Sequence, residues 1–252
     1  MKAVVKMLPG EGHMEYTDIP EPQVTGDFVK IKIAYSGICG TDIHAMRGTY
    51  PSTKPPVVLG HEFSGVVVAV GENVRNIHVG DRVTSETTYE TCGSCHYCHT
   101  GDLNLCGARR GVGTNVNGSM AEYVVNHEAR IHVLPENVSL LAAALTEPLA
   151  CGVHAVIERG HVHKGDIVCV FGAGAIGQMV AQVAHACGAT VIMAGLSSDV
   201  ERLQIATQCG IQRTVDQQAE ELSGVISEMT NGLGVDLAFE CSGAVPAANK
   251  AL

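Results

Sequence analysis

The sequence predicts an α/β protein in two parts: a mostly-β, barrel-like domain over residues 1–150, then a doubly wound parallel sheet over residues 151–252. Three observations carry this. Short β-branched runs punctuated by Gly and Pro fill the first part. Short apolar strands alternate with helical stretches in the second. GAGAIG, residues 172–177, heads that alternation, between an apolar strand and a helix.

In chain order, KAVVKM, FVKIKIAY, FSGVVVAVG, GDRVTSE and AEYVVNH have strand length, with turn residues between them. PSTKPPVVLGHE is a Pro-rich loop, so His61 and Glu62 are expected at a loop–strand junction. A lobe over residues 90–107 holds Cys92, Cys95, Cys98 and Cys106 in the spacing C-x2-C-x2-C-x7-C. Four thiolates this close complete a tetrahedral shell around one Zn²⁺ and leave no open position, so this site is expected to be structural. The competing reading is two disulfides. His96 and His99 could compete as ligands; with four Cys present they are expected to face solvent. The stretch LLAAALTEPLACGVHAVIERG reads as helical and joins the two parts. Strands are then expected near residues 167–172, 190–195, 213–216 and 237–243.

A second constellation differs in kind. Cys39 stands in GICGTDIH, and His61 and Glu62 in GHEFSG. One thiolate, one imidazole and one carboxylate make a mixed shell, the way a catalytic zinc with an open position is held. Glu147, in TEPLAC, is a candidate fourth ligand alternating with a water. Each residue alone reads as core or as a satisfied polar group; the combination favours metal.

IVCVFGAGAIGQMVAQVAHACGATVIMAG supplies the nucleotide signal: strand, G-x-G-x-x-G, helix, strand. Gly172 permits the tight turn, Gly174 lets backbone approach a pyrophosphate, and Gly177 lets helix pack on strand. The helix N-terminus at Ala175 and Ile176 offers N–H groups and a positive dipole end to phosphate. An acid is expected to end the second strand and grip the ribose. That position is Gly195, and Asp199 comes four residues later. Ser197, Ser198 and Arg202 could then meet a 2′-phosphate, which leans the cofactor from NAD towards NADP; if Asp199 swings back to the ribose, NAD is used.

Composition excludes several classes. A net charge of −10 offers no basic stripe for nucleic acid and no attraction to an anionic membrane. No apolar run is long enough to span a bilayer. MKAVVKMLPGEG has too short an apolar run for a secretion signal, and ten cysteines without one point to a reducing, cytoplasmic compartment. Cys151, Cys169, Cys187, Cys209 and Cys241 sit in apolar runs and are expected to be buried packing residues.

GICGTDIH, GHEFSG, the four-Cys lobe, TEPLAC and GAGAIG together resemble the zinc-dependent medium-chain dehydrogenase/reductase family across essentially the whole chain. The Glu-Pro-Leu around Glu147 resembles the polyol dehydrogenase branch, with threonine dehydrogenases as neighbours. The resemblance implies a GroES-like catalytic domain followed by a Rossmann domain. It implies two zinc ions, one catalytic and one structural, and hydride transfer between a secondary alcohol and NAD(P). By resemblance, Thr41 takes the alcohol proton, His44 passes it on, and Asp42 holds the far nitrogen of His61. Glu62 could bind zinc directly or sit behind it, and the branch favours direct binding. Tyr50 would line the substrate cleft.

Family chains are longer, and this one stops at PAANKAL, so an incomplete sheet with an unpaired edge, and an inactive fragment, are expected. The full-length protein is expected to be a homodimer or homotetramer acting on a small-molecule alcohol. A zinc-stapled protein without turnover remains an alternative. A zinc-free quinone reductase is opposed by the metal ligands themselves.

Overall fold

The computed structural model describes residues 1–251 and falls into two compact units, Met1–Glu147 and Pro148–Leu252. The first begins with strands β1 (Lys2–Lys6), β2 (Met14–Asp18) and β3 (Phe28–Ser36), helix α1 (Gly40–Met46) and strand β4 (Val57–Val58). Strands β5 (Phe63–Val70), β6 (Arg82–Ser85) and β7 (Thr88–Glu90), helix α2 (His96–Thr100) and strands β8 (Arg110–Gly111), β9 (Tyr123–His127) and β10 (Ile131–Val133) follow. Helices α3 (Leu140–Ala143) and α4 (Thr146–Val153) lead out of the unit.

Five of these strands form an antiparallel sheet in the order β10-β6-β5-β3-β9. Along β3, Val29 and Ile31 are fully buried and pack with Phe63, Val67, Val83 and Val124 from the neighbouring strands. Period-two alternation of this kind gives a sheet one apolar face. A smaller sheet, β2-β1-β4, and the pair β7-β8 complete the unit. β2, β4, β7, β8 and β10 lie outside the strands expected from sequence. Tyr50 packs partly buried against Ala45, Val57 and Leu59.

The second unit alternates strand and helix: β11 (Ile167–Phe171), α5 (Ala175–Ala186), β12 (Thr190–Gly195), α6 (Val200–Gln208), β13 (Arg213–Asp216), α7 (Leu222–Thr230), β14 (Leu237–Glu240) and α8 (Val245–Ala251). The sheet is parallel in the order β13-β12-β11-β14. β11 and β12 are apolar almost throughout because helices cover both faces. One core packs α5 and α6 against Val168, Val170, Val191 and Met193. The other packs α7 against Cys169, Phe171, Ile192 and Ala194. β14 ends three residues earlier than expected: the Glu240 carboxylate accepts the N–H groups of Ser242 and Gly243 and turns the chain there.

Of the five packing cysteines, only Cys169 is fully buried; Cys187 and Cys241 are half-buried, and Cys151 and Cys209 are exposed. The apolar runs around Cys151 and Cys209 belong to helices with one buried face. Pro148 and Gly152 take it on α4, Leu203 and Ala206 on α6, and Cys209 lies past the last turn of α6.

Candidate metal centres and nucleotide crevice

In the lobe, the four sulfur atoms of Cys92, Cys95, Cys98 and Cys106 all lie within 4.8 Å of one another. Cys95 and Cys98 are 3.5 Å apart, Cys92 and Cys106 3.6 Å, and Cys92 and Cys98 3.9 Å. Tetrahedral zinc with Zn–S near 2.3 Å requires S···S separations of about 3.8 Å. Disulfide sulfurs would stand at about 2.05 Å, so no pair is bonded. The backbone N–H groups of Ser94 and Cys95 pull the Cys92 thiol down to about 6. At Cys95 the Cys98 N–H acts downwards too, but desolvation and the neighbouring thiols push it up to about 11. A bound dication would displace the protons of all four thiols. The donor set fits zinc. His96 and His99 are both exposed, and neither is among the four converging ligands.

The second cluster joins two elements. Cys39 is the N-cap of α1, and His61 and Glu62 immediately precede β5. One ligand atom from each lies within 4.8 Å of the others. Asp42, 5 % exposed, ties the elements together: Oδ2 accepts the Cys39 N–H at 2.9 Å and Oδ1 the Gly60 N–H at 3.1 Å. His61 Nδ1 stands 3.9 Å from Asp42 Oδ1 and has no hydrogen-bond partner. That distance allows charge attraction but is no hydrogen bond, so Asp42 reaches His61 through the Gly60 backbone rather than by direct donation. Thr41 Oγ1 lies 3.4 Å from His61 Nε2. His44 is exposed, with Nδ1 3.2 Å from Thr49 Oγ1.

Glycines set this geometry, and sequence reading gave them no role. A Cβ at Gly37 would collide with the Glu62 carboxylate. Gly60 has φ +91°, and a Cβ there would meet Ser119 Oγ at 2.7 Å and Met120 Cγ at 2.8 Å. Gly113 packs on the Gly60 carbonyl, where its own Cβ would stand 2.5 Å away. The cue was GVGTNVNG, which places two glycines where this backbone closes on the ligand turn.

Electrostatics bind the cluster together. A hydrogen bond with His61 lowers the Cys39 thiol despite burial, and Thr41 helps. Burial opposes an imidazolium at His61, but Cys39, Asp42 and Glu147 hold its pKa above the ordinary value. Burial raises the Glu147 carboxyl; His61 and Arg109 oppose the rise and Glu62 adds to it. Glu147 therefore feels the cluster, but only Cys39, His61 and Glu62 converge within 4.8 Å. Three converging donors of mixed softness fit a zinc ion with an open position.

In the second unit, Gly172 turns at φ +99°, and a Cβ there would meet Ser242 N at 2.8 Å. A Cβ at Gly177 would collide with the Gly172 carbonyl, whereas one at Gly174 meets nothing within 4 Å. Turn, open approach and close packing are the three tasks a dinucleotide loop sets its glycines. Gly174 caps α5, whose first residues are Ala175 and Ile176. A cavity of about 390 Å³ opens beside this turn, lined by Gly172, Gly195, Leu196, Asp199, Gln217, Ser242 and Lys250 among others. It lies where the strand order reverses between β11 and β14, the usual crevice for a nucleotide. Asp199 folds under Gly195: Oδ2 accepts the Leu196 N–H at 3.1 Å and Oδ1 pairs with Arg202 at 3.0 Å. Ser197 Oγ donates to Asp216 at 2.6 Å. Arg202 and Ser197 thus already hold acidic partners.

Among the described residues no helix is long and apolar enough to cross a membrane. Residues 26–136 match the family model of the alcohol dehydrogenase GroES-like domain, and residues 175–252 that of the zinc-binding dehydrogenase. The chain is 49 % identical over its whole length to a D-arabitol-phosphate dehydrogenase of Enterococcus avium, covering 72 % of that protein. It is also 49 % identical over its whole length to a sorbitol dehydrogenase of Halalkalibacterium halodurans, covering 73 %. A solved structure from Sinorhizobium meliloti 1021, described as a zinc-binding dehydrogenase bound to NADP, superposes with a TM-score of 0.88 at 35 % identity. The match covers 99 % of this chain and 72 % of that one.

Proposed function

We propose, for a chain that belongs to the zinc-dependent alcohol dehydrogenase family and is an NAD(P)-dependent oxidoreductase acting on an alcohol, that the substrate is a polyol and that Cys39, His61 and Glu62 form the reaction centre. The observation that carries this is the convergence of those three donors within 4.8 Å beside Thr41. Zinc held there supplies a Lewis acid that lowers the pKa of a bound alcohol. The reaction removes a proton from the hydroxyl and a hydride from its carbon, giving a ketone and reduced nicotinamide.

Thr41 receives the hydroxyl proton, and the exposed imidazole of His44 carries it towards solvent. Asp42 keeps Cys39 and the His61 turn in register. Glu147, kept more basic by burial, is the alternative fourth ligand. The four lobe cysteines hold a second, structural zinc, so each chain takes two. Gly172, Gly174, Gly177 and the α5 N-terminus at Ala175 and Ile176 hold the pyrophosphate.

On this reading NADP is preferred. No carboxylate ends β12, and Arg202 has already neutralised Asp199 and is exposed enough to turn to a 2′-phosphate beside Ser197. The full-length protein is a cytoplasmic homodimer or homotetramer. The test is oxidation of a panel of sugar alcohols, their phosphate esters and threonine with both nucleotides, alongside metal analysis. Arg202→Ala lowers kcat/KM with NADP more than with NAD. Activity on threonine alone, or equal loss with both nucleotides, would sink the corresponding half of the reading.

A further inference from the structure

Lys6 is 1 % exposed, among the largest fully buried side chains of the protein. Its ammonium has three hydrogen-bond partners, all backbone carbonyls: Gly10, Gly12 at 2.5 Å and Met46 at 3.2 Å. An ammonium carries three donors and no acceptor, so the set is complete. A buried charge without a counter-ion persists only where such dipoles replace its water. Gly10 and Gly12 belong to the loop between β1 and β2, and Met46 is the last residue of α1. The Gly12 N–H donates to the same Met46 carbonyl at 2.8 Å. Gly48, just beyond the helix, lies so close to Gly10 that a Cβ would overlap its backbone. At the C-terminus of α1, the negative end of its dipole, the Met46 carbonyl is therefore clasped by one buried cation that also holds the β1–β2 loop. The other end of this seven-residue helix carries Cys39 and Asp42.

We propose that Lys6 is a positioning residue for the Cys39–His61–Glu62 centre: its ammonium fills a three-carbonyl cage and fixes the register of α1, and with it the Cys39 sulfur. The ammonium serves as a built-in monovalent cation that touches neither substrate nor zinc. This rests on the zinc reading of that centre, so the experiment begins with wild type.

Cobalt is titrated into the metal-free chain, and its thiolate absorption separates the one-thiolate centre from the four-thiolate lobe. Wild type fills both; a wild type that fills only the lobe overturns the zinc reading and this role with it. Lys6→Met keeps the stem and volume but takes the ammonium from all three carbonyls, leaving Gly10 and Gly12 without a donor and Met46 with only the Gly12 N–H. Metal affinity at the Cys39 centre is expected to fall about 10–100-fold, as when a group supporting a metal ligand is lost, with the lobe unchanged. Lys6→Ala empties the cage, and n-propylammonium, but not the neutral n-propanol, restores affinity at the Cys39 centre. If Lys6→Met does not fold, Lys6→Ala refolded with n-propylammonium decides by the same titration. Wild-type affinity in Lys6→Met, equal loss at both metals, or a Lys6→Ala variant indifferent to n-propylammonium overturns the proposal.

Discussion

Gly37 and Glu62 are fitted to each other, because the carboxylate occupies the space a side chain at position 37 would need. The Gly37 N–H also donates to the Glu62 carbonyl at 2.7 Å, so backbone and side chain of Glu62 both rest on this residue. A free carboxylate would swing away from a new methyl at little cost; one held by a metal cannot. Gly37→Ala is therefore expected to keep the fold and the lobe metal while weakening metal binding at the Cys39 centre by about 10–100-fold, the usual scale for a disturbed support. Chelator competition against both sites measures it. Equal affinity in variant and wild type would mean that Glu62 does not bind the metal.

Helix starts and stops show how short side chains place whole elements. Glu221 precedes α7 and accepts the N–H groups of Ser223 and Gly224, two of the donors every helix leaves unsatisfied. The Ser223 side-chain hydrogen bond, with the Gly224 N–H, holds the Glu221 carboxyl below the usual carboxylate range. A depressed folded-state pKa means stabilisation that is present above the unfolded value and lost as pH falls through the folded one. Glu221→Ala should therefore melt earlier than wild type at neutral pH, with the difference vanishing in acid below the carboxylate range. Thermal melts at the two pH values check this, and a gap that persists in acid would show that the carboxylate charge is not the cap. Glu240 does the same at the end of β14, where its hydrogen bonds to Ser242 and Gly243 stop a strand that apolar content alone would prolong.

Across the whole molecule the two candidate metal centres rest on different supports. The Cys39 centre draws its ligands from elements already fixed by the Val29–Ile31–Phe63 core and by Asp42. The lobe has only the short helix α2, with no buried residue, a 3-10 turn at Leu103–Leu105, and loops. On the proposed reading, metal binding there would be folding free energy for that segment. Cys39→Ser is expected to remove one zinc, and all turnover of the full-length protein, while the far-ultraviolet circular dichroism stays unchanged. Cys95→Ser should lower the melting temperature or the soluble yield. Wild type should carry two zinc ions per chain by elemental analysis. A single zinc, or loss of both in Cys39→Ser, would count against two independent centres.

The sequence alone determined the features that depend on local spacing. The long strands were legible because their burial alternates or runs continuously, and β12 and β13 fall where expected. The convergence of the four thiols was legible because so short a lobe has to bring them together, and the glycine loop because its backbone requirements allow few residues. Tertiary structure decided what depends on partners remote in the chain. β2, MEYTD, is an edge strand whose apolar signal is slight; it forms because β1 offers it hydrogen bonds in register, closed by Lys2 and Asp18. Gly37 and Gly60 gained their roles only when Glu62, Ser119 and Met120 closed upon them. Asp42 was expected to hold His61 directly, yet it binds the Cys39 and Gly60 backbones, a choice made by where α1 meets the turn. Lys6 reads in the sequence as one more charged residue of a first strand. Only the folded chain brings three carbonyls around it, because a helix end and a loop remote from each other in sequence can share one cation only after both have packed.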